Sequence, residues 1–307
     1  MVRSRVARIL APNPSPMTLE GTNTYLIDAG DFAVIIDPGP PIDRHVDVIV
    51  DAARDRGLAI GAILVTHGHP DHAPAAAPLA ARTGAPVYAH ARARFPRDRI
   101  CADGQRLRFG ELELIALDTP GHAVDHLAFG LEEEGALFAG DVIVGRGTVV
   151  VAPPFGDMRA YQATLGRLRD NFASARTIYG GHGDAVDDPR AKIAEYIAHR
   201  AAREGQVLSA LAERPSTVPD LVERIYRDTP AVLWPAAARQ VLAHLIALES
   251  EGRVVTRTLA REPDAREAAI LNPDLSRLAD PSLASVAAAE LGFDRAVERI
   301  VVYEPAP

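Results

Sequence analysis

The sequence of 307 residues contains a single cysteine, Cys101. One thiol excludes a disulfide within the chain, and it excludes a zinc site built on several cysteines. Lysine is almost absent too, because Lys192 is the sole lysine among 33 basic residues. The other basic residues are arginines. In an alanine-rich chain such a bias reflects codon usage and does not by itself locate a phosphate site.

The chain also has no long uncharged apolar run. A membrane-spanning helix needs about 18 such residues in a row, so none is predicted here. Near the start, Arg3, Arg5 and Arg8 are followed by Pro12 and Pro14 and not by the apolar segment of a signal peptide. We therefore expect a cytoplasmic protein without a membrane partner.

Acidic residues outnumber basic ones, and the formal net charge is -8. This balance predicts no general attraction to nucleic acid or to anionic membranes, although it does not exclude a local basic groove. The hydrophobic content of 48% is ordinary for a globular enzyme. The length suffices for one large domain and one small domain.

Residues 1–190 alternate short β-prone runs with helical runs, which predicts a layered α/β domain. The helix predictions are Asp43–Arg56, Pro74–Thr83 and Met158–Phe172, the last with Asp157 as its N-cap. The strand predictions are bounded by glycine, proline, aspartate or charge. They are Thr24–Ala29, Phe32–Asp37, Ala62–Thr66, Ala85–Ala89, Glu111–Leu117, Val124–Gly130 and Ala136–Ala139.

The pattern changes in residues 191–262. A long helix, Pro189–Glu213, is followed by helices Val218–Tyr226 and Pro235–Glu251 and a β-prone arm, Arg253–Leu259, an order that resembles a winged helix. Basic and acidic residues balance between positions 201 and 262. A duplex-binding module normally has a basic excess, so we expect no duplex DNA partner. A structural cap or a wall of the substrate cleft is favoured, and single-strand binding stays open.

Residues 263–307 form a C-terminal extension to which the sequence assigns no role. It predicts one helix, Leu283–Leu291, and a β-prone end, Ile300–Tyr303.

The strongest motif, Thr66-His67-Gly68-His69-Pro70-Asp71-His72, follows a predicted strand. Three imidazoles and a carboxylate so close together are typical of a metal site. His67 and His69 can share one face of an extended loop, because side chains two residues apart point the same way. Asp71 and His72 turn to the other side as the chain bends towards the next helix. One loop can thus supply ligands to two neighbouring metals.

Three further candidate ligands, His122, Asp141 and His182, each lie next to a glycine in a turn or at a strand end. Glycine permits a close backbone approach and positive φ. Each is weak alone, but their order after the histidine-rich loop makes the set specific. His126, four residues after His122, could touch substrate, support His122 or serve a structural role.

These residues, in this order, resemble the metallo-β-lactamase superfamily over roughly residues 8–190. The resemblance implies an αββα sandwich, followed here by a small helical winged-helix-like domain. It implies two Zn(II) ions, although Fe or Mn also suits ligands without thiolate. It assigns His67, His69 and His122 to the first ion, Asp71, His72 and His182 to the second, and Asp141 to both. Asp37 resembles the acidic residue that supports the ligand loop.

Such a site lowers the pKa of a bridging water, polarises a carbonyl or phosphoryl oxygen and stabilises the leaving group. The resemblance implies a metal-bridging hydroxide as nucleophile, with Asp71 as the catalytic residue that orients it. The seven-ligand set favours an enzyme over a metal-stabilised binding module, because structural zinc sites usually close with four ligands.

Several positions differ from the residues typical of particular branches of this superfamily, and these differences narrow the range of functions. Asp141 stands where the true β-lactamases have a cysteine ligand, Val144 where quorum-quenching lactonases have a tyrosine, and His69 where flavodiiron proteins have an acid. No large insertion of the mRNA-processing nuclease kind separates Asp141 from His182. The segment Asn13–Leu26 and the winged-helix-like region resemble a beta-lactamase-like subgroup. That subgroup includes an endoribonuclease for single-stranded RNA and shares features with polyketide-pathway thioesterases.

The resulting hypothesis is a binuclear zinc hydrolase acting on a small ester or thioester substrate. Two alternatives stay open: an endoribonuclease that cleaves single-stranded RNA, and a glyoxalase II-like hydroxyacylglutathione hydrolase, whose metal set is the same.

Overall fold

The computed structural model describes residues 5–172, 175–273 and 297–306. The chain divides into two compact units, Met1–Val149 with Thr164–Ala194, and Val150–Ala163 with Glu195–Pro307. The sequence predicted a continuous first domain to residue 190, whereas the structure assigns the short segment 150–163 to the second unit.

The first unit contains two β-sheets. One has six strands in the order β1 (Val6–Leu10), β2 (Asn23–Asp28), β3 (Phe32–Ile36), β4 (Ala59–Leu64), β5 (Val87–His90) and β6 (Arg99–Cys101). The other has five strands in the order β11 (Thr177–Gly180), β10 (Ala136–Gly140), β9 (Leu127–Leu131), β8 (Leu112–Asp118) and β7 (Arg106–Phe109). Helices α1 (Asp43–Arg54) and α2 (Ala76–Thr83) connect strands of the first sheet.

Alternation along β3 explains how the first sheet packs on both faces. Ala33 and Ile35 belong to a core shared with α1 and α2, whereas Val34 and Ile36 belong to a core shared with the second sheet. Successive side chains of a strand point to opposite faces, so an uninterrupted apolar run is required here.

A third helix, α3 (Met158–Asn171), contributes its C-terminal half to the first unit. There Thr164 donates a hydrogen bond to the Pro120 carbonyl, and Arg167 donates to the Asp118 carbonyl. Phe172 lies against Gly130 of β9. Helices therefore cover the outer face of each sheet, and the predicted αββα sandwich is confirmed. The N-cap prediction is confirmed as well, because the Asp157 carboxylate accepts the Ala160 N–H at 2.9 Å.

The second unit contains most of α4 (Pro189–Glu213), then α5 (Val218–Ile225), α6 (Trp234–Ser250) and α7 (Ala265–Leu271). Its sheet has the order β12 (Ser216–Thr217), β14 (Val301–Pro305) and β13 (Val254–Thr258). Helices followed by this small sheet confirm the winged-helix prediction.

The end of the chain corrects one expectation. The sequence assigned no role to residues 263–307, but β14 is the central strand of the small sheet and pairs with both β12 and β13. Tyr303 is buried in the core of this unit. The predicted helix Leu283–Leu291 lies outside the described residues.

Residues Ala231–Ser250 are long and apolar enough to cross a membrane by length and composition alone. Within α6, however, Val241, Leu245 and Leu248 are buried in the apolar core of the second unit. This burial is the pattern of a core helix.

Candidate metal centre

Each predicted ligand lies in a loop that follows a strand. The loop after β4 bears His67, His69, Asp71 and His72, and the loops after β8, β10 and β11 bear His122, Asp141 and His182. The structure brings all seven together. Among the described residues there are two groups of three, and a third group of His67, His72 and Asp141 that links them. Within each group the ligand atoms lie within 4.8 Å of one another.

The first group consists of His67, His69 and His122. Nδ1 of His69 lies 2.9 Å from Nε2 of His67 and 3.0 Å from Nε2 of His122. Burial, with a smaller contribution from the neighbouring imidazoles, lowers the pKa of His67 well below its usual value and that of His69 to about 3. The rings are therefore neutral, and a ring nitrogen of each lies close to the other members of the group. Three neutral imidazole nitrogens of this kind would hold a zinc ion.

The second group consists of Asp71, His72 and His182. Oδ2 of Asp71 lies 3.3 Å from Nε2 of His72 and 3.4 Å from Nε2 of His182. Burial opposes protonation of His72, but Asp71, Asp141 and Asp37 together raise its pKa well above the usual value. The carboxylates therefore favour a positive charge at this position, which a bound divalent cation would also supply.

Asp141 lies between the two groups. Its Oδ2 is 3.2 Å from Nε2 of His182 and 3.7 Å from Nε2 of His122, while its Oδ1 is 3.4 Å from Nε2 of His72. Apart from the contacts just given, the buried atoms His72 Nε2 and Asp141 Oδ1 have no hydrogen-bond partner among the described residues. Buried polar atoms are normally satisfied, so these atoms fit a bound metal. The assignment of the seven residues as ligands stays a prediction that this geometry favours.

Glycine is required at two places in this centre. A Cβ on Gly181 would lie 2.2 Å from Oδ1 of Asp141, and a Cβ on Gly140 would lie 2.7 Å from Oγ1 of Thr66. Gly140 also has a φ of +47°. These positions admit no side chain, because the backbone itself packs against the candidate ligands and Thr66.

Asp37 contacts the ligand loop as expected of a supporting residue. Its Oδ2 accepts hydrogen bonds from Nδ1 of His72 at 2.9 Å and from Oγ1 of Thr66 at 2.7 Å, and its Oδ1 accepts the Thr66 N–H at 2.7 Å. The bond to Nδ1 directs Nε2 of His72 towards the second group. Asp37 has a φ of +51°, an uncommon backbone conformation that persists only where the surroundings impose it.

His126 has a structural role. Its Nε2 accepts the Asp141 N–H at 3.0 Å, which leaves Nδ1–H to donate to Oγ1 of Thr119 at 2.8 Å. Both ring nitrogens are thus engaged, and the ring stacks on His67 with centroids 4.8 Å apart. Of the three roles considered for His126, the structure favours the structural one.

Sequence reasoning missed two residues that hold the ligand loop. Oγ1 of Thr22 donates a hydrogen bond of 2.6 Å to Oδ2 of Asp71. The carboxylate of Asp125 accepts the N–H of Gly68, between the first two histidines. Thr22 belongs to the segment Asn13–Leu26 that the sequence singled out, and Asp125 lies between His122 and His126, but neither position reveals its contacts.

Comparison with known proteins agrees with this fold. The model of the metallo-beta-lactamase superfamily matches residues 17–99, and that of the beta-lactamase associated winged helix domain matches residues 217–260. The chain therefore belongs to the metallo-beta-lactamase superfamily, and it is a hydrolase.

Particular relatives span most of the chain. It is 35% identical over 271 residues to beta-lactamase-like protein 2 homolog of Drosophila melanogaster, covering 82% of this chain and 90% of that one. It is 36% identical over 240 residues to atrochrysone carboxyl ACP thioesterase of Aspergillus chevalieri, covering 75% of each. A crystal structure of a metallo-beta-lactamase family protein from Thermus thermophilus matches with a TM-score of 0.70 and 26% identity, covering 82% of this chain and 96% of that one.

Proposed function

We propose that the protein is a binuclear zinc hydrolase that cleaves a small ester or thioester substrate. The position of Asp141 carries the proposal, because its carboxylate lies within 3.7 Å of imidazole nitrogens from both ligand groups. A carboxylate in this position can bind two metals at once.

The residues present define the roles of the chain in such a reaction. Two zinc ions bound there supply an activated water and polarise the carbonyl oxygen of the substrate. The first group keeps its imidazole lone pairs at neutral pH, since burial lowers the pKa of His67 and His69. The buried carboxylate of Asp71 orients the attacking water and accepts its proton.

A thioester is the favoured substrate class. The relative from Aspergillus chevalieri is named a thioesterase, and three quarters of this chain aligns with it. Val124, two residues after His122, is 37% exposed and offers an apolar contact for an acyl group. Hydroxyacylglutathione, the substrate of the glyoxalase II alternative, is itself a thioester and belongs in the same assay.

The second unit favours this hypothesis over cleavage of RNA. Several of its arginines already pair with carboxylates: Arg224 with Glu213, Arg253 with Glu204 and Glu251, Arg261 with Glu267, and Arg266 with Asp220 and Glu223. In addition, ten residues of α6 are buried, including Arg239 and Gln240. Paired arginines and a buried helix leave less cationic surface for phosphates.

Release of thiol from acyl thioesters, hydroxyacylglutathione among them, tests the proposal with zinc-loaded wild type and the matched Asp71→Asn variant. We expect turnover by the wild type and a loss of about 10²–10⁴-fold in the variant, the usual contribution of a general base. An end-labelled single-stranded RNA is incubated in parallel. Two results together would replace this function with the ribonuclease. Wild-type protein that holds two zinc ions would cleave the RNA without turning over a thioester, and Asp71→Asn would abolish the cleavage.

A further inference from the structure

The segment Gly21–Tyr25 lies against the second ligand group. Thr22 is fully buried, and its Oγ1 donates to Oδ2 of Asp71 at 2.6 Å. The same Oδ2 faces Nε2 of His72 and Nε2 of His182. The Thr22 hydroxyl therefore binds the carboxylate oxygen of Asp71 that faces the two imidazoles of the second group.

Asn13 determines the direction of that hydrogen bond. Its Nδ2 donates to Oγ1 of Thr22 at 2.9 Å, and its Oδ1 accepts the Thr22 N–H at 2.9 Å. A hydroxyl that accepts from an amide has its own hydrogen left to donate, and an ionised carboxylate only accepts. The side-chain hydrogen bonds from Asn13 to Thr22 and from Thr22 to Asp71 therefore point in the same direction.

The same segment holds the opposite side of the second group. His182 Nδ1–H donates to the Gly21 carbonyl at 3.3 Å, which leaves Nε2 to face the carboxylates. The side chain of Asn23 donates to the carbonyls of Gly180 at 3.0 Å and Gly183 at 2.8 Å. The Tyr25 hydroxyl also donates to the Gly180 carbonyl, at 2.7 Å. Asp71 and His182 are therefore both positioned by one short stretch of chain.

The first group is held by other residues. Nδ1–H of His67 donates to Oγ1 of Thr66 at 2.9 Å, because that hydroxyl gives its own hydrogen to Asp37. The N–H of Gly68 bonds to Asp125. Asp37 thus contacts both groups, through Thr66 and His72, whereas Thr22 contacts Asp71 of the second group.

We propose that Thr22 is a positioning residue for the second metal and that Asn13, by orienting the Thr22 hydroxyl, shares this role. The inference rests on the proposed function, in which the two groups bind one metal each and share Asp141. Residues that hydrogen-bond to metal ligands set their orientation and basicity, and removing one typically lowers metal affinity about 10–100-fold. The loss should fall on the second metal and leave the first bound.

Zinc affinities of apo-protein, measured by competition with a chromophoric chelator, test the inference without reference to turnover. Thr22→Val keeps the volume and removes the hydroxyl, Thr22→Ser restores it, and Thr83→Val removes a hydroxyl within α2 that donates to the Leu79 carbonyl. Each of these substitutions is made in two variant proteins. One has His122→Ala, which weakens the first group, and the other has His182→Ala, which weakens the second.

In the His122→Ala background we expect Thr22→Val to lower the remaining affinity about 10–100-fold and Thr22→Ser to recover most of it. In the His182→Ala background neither substitution should change the affinity, and Thr83→Val should change neither background. If Thr22→Val does not fold, Asn13→Ala should show a smaller loss with the same selectivity.

Equal losses in both backgrounds, or none in either, would overturn the role of Thr22 and leave the proposed function intact. Wild-type protein that binds no zinc would overturn both.

Discussion

The backbone N–H of Asp141 donates a hydrogen bond of 3.0 Å to Nε2 of His126. His126 is wholly buried, and its ring stacks on His67 of the first group. An imidazole outside the ligand set thus fixes the backbone of the residue that lies between the two groups. The bond also defines the tautomer, since an N–H donor requires a bare Nε2.

His126→Ala should therefore destabilise the first unit without removing a metal. The change leaves the buried Asp141 N–H unsatisfied, which costs about 1–3 kcal/mol. Urea unfolding measures the stability, and elemental analysis measures the zinc content. His122→Ala is the comparison, because it removes a candidate ligand and should lower the zinc content. An unchanged stability with loss of zinc in His126→Ala would identify His126 as a ligand.

Asp37→Asn should weaken zinc binding through His72. Asparagine tolerates positive φ, so the backbone can keep its conformation. The amide supplies one oxygen where the carboxylate supplies two, and Thr66 and His72 then compete for it. We expect the affinity to fall about 10–100-fold.

Asp28→Asn provides the matched control for Asp37→Asn, since the Asp28 carboxylate accepts only the Gly30 N–H of a turn in the hydrogen bonds described. A similar loss of affinity in both variants would show a general effect of charge on the apo-protein and contradict the positioning role.

The periodic spacing of apolar residues predicted the helices and strands that bury one continuous face. In helix α1, Val46, Ile49 and Ala53 lie on one face and are buried, and Val50 of the same face is partly buried. Strands β6 and β7 were missed, because Arg-Ile-Cys and Arg-Leu-Arg-Phe are short and rich in charge. Such strands form because a neighbouring strand offers hydrogen bonds, and local propensity contains little of that information.

The candidate ligands were predictable because four of them lie in one loop of distinctive composition. Thr22 was not, since 49 residues separate it from Asp71 and a lone threonine has no chemical signature. The role of β14 was missed for the same reason: its partner residues lie near positions 216 and 256. Contacts between distant segments depend on the fold and not on a local pattern.

Tyr303→Ala should destabilise the second unit by about 3 kcal/mol, because it removes a buried aromatic ring from the core. Trp234 is the sole tryptophan and lies in this unit, so its fluorescence reports denaturant unfolding there. Tyr303→Phe is the control and should stay close to the wild type. Equal unfolding midpoints for Tyr303→Ala and wild type would mean that the ring does not stabilise the unit.

Stability of the second unit should fall as the solution is acidified. Burial, together with the charges of Arg200, Arg159 and His199 and against that of Glu204, lowers the pKa of His244 to about 4. The folded state keeps His244 neutral, whereas the unfolded chain takes up a proton near pH 6.5. Unfolding is therefore favoured as pH falls from 6.5 towards 4, by about 2 kcal/mol between pH 7 and pH 5.

His244→Leu removes this titrating group. Among the described residues neither ring nitrogen of His244 has a hydrogen-bond partner, so leucine leaves no new unsatisfied group there. Denaturant unfolding at pH 7 and pH 5, followed by Trp234 fluorescence, should show a smaller difference for the variant. Parallel pH dependences for the two proteins would mean that another group causes the acid sensitivity.

The central position of β14 has a consequence for folding during synthesis. Strands β12 and β13 pair with β14 and not with each other. A ribosome must therefore add residues 301–305 before the small sheet can close, whereas the last strand of the first unit is complete at Gly180. Until then the apolar positions that Tyr303 and Ile300 cover in the finished core are exposed, as in other partly synthesised domains. Of the two units, the second is consequently the one that depends longer on protection from aggregation.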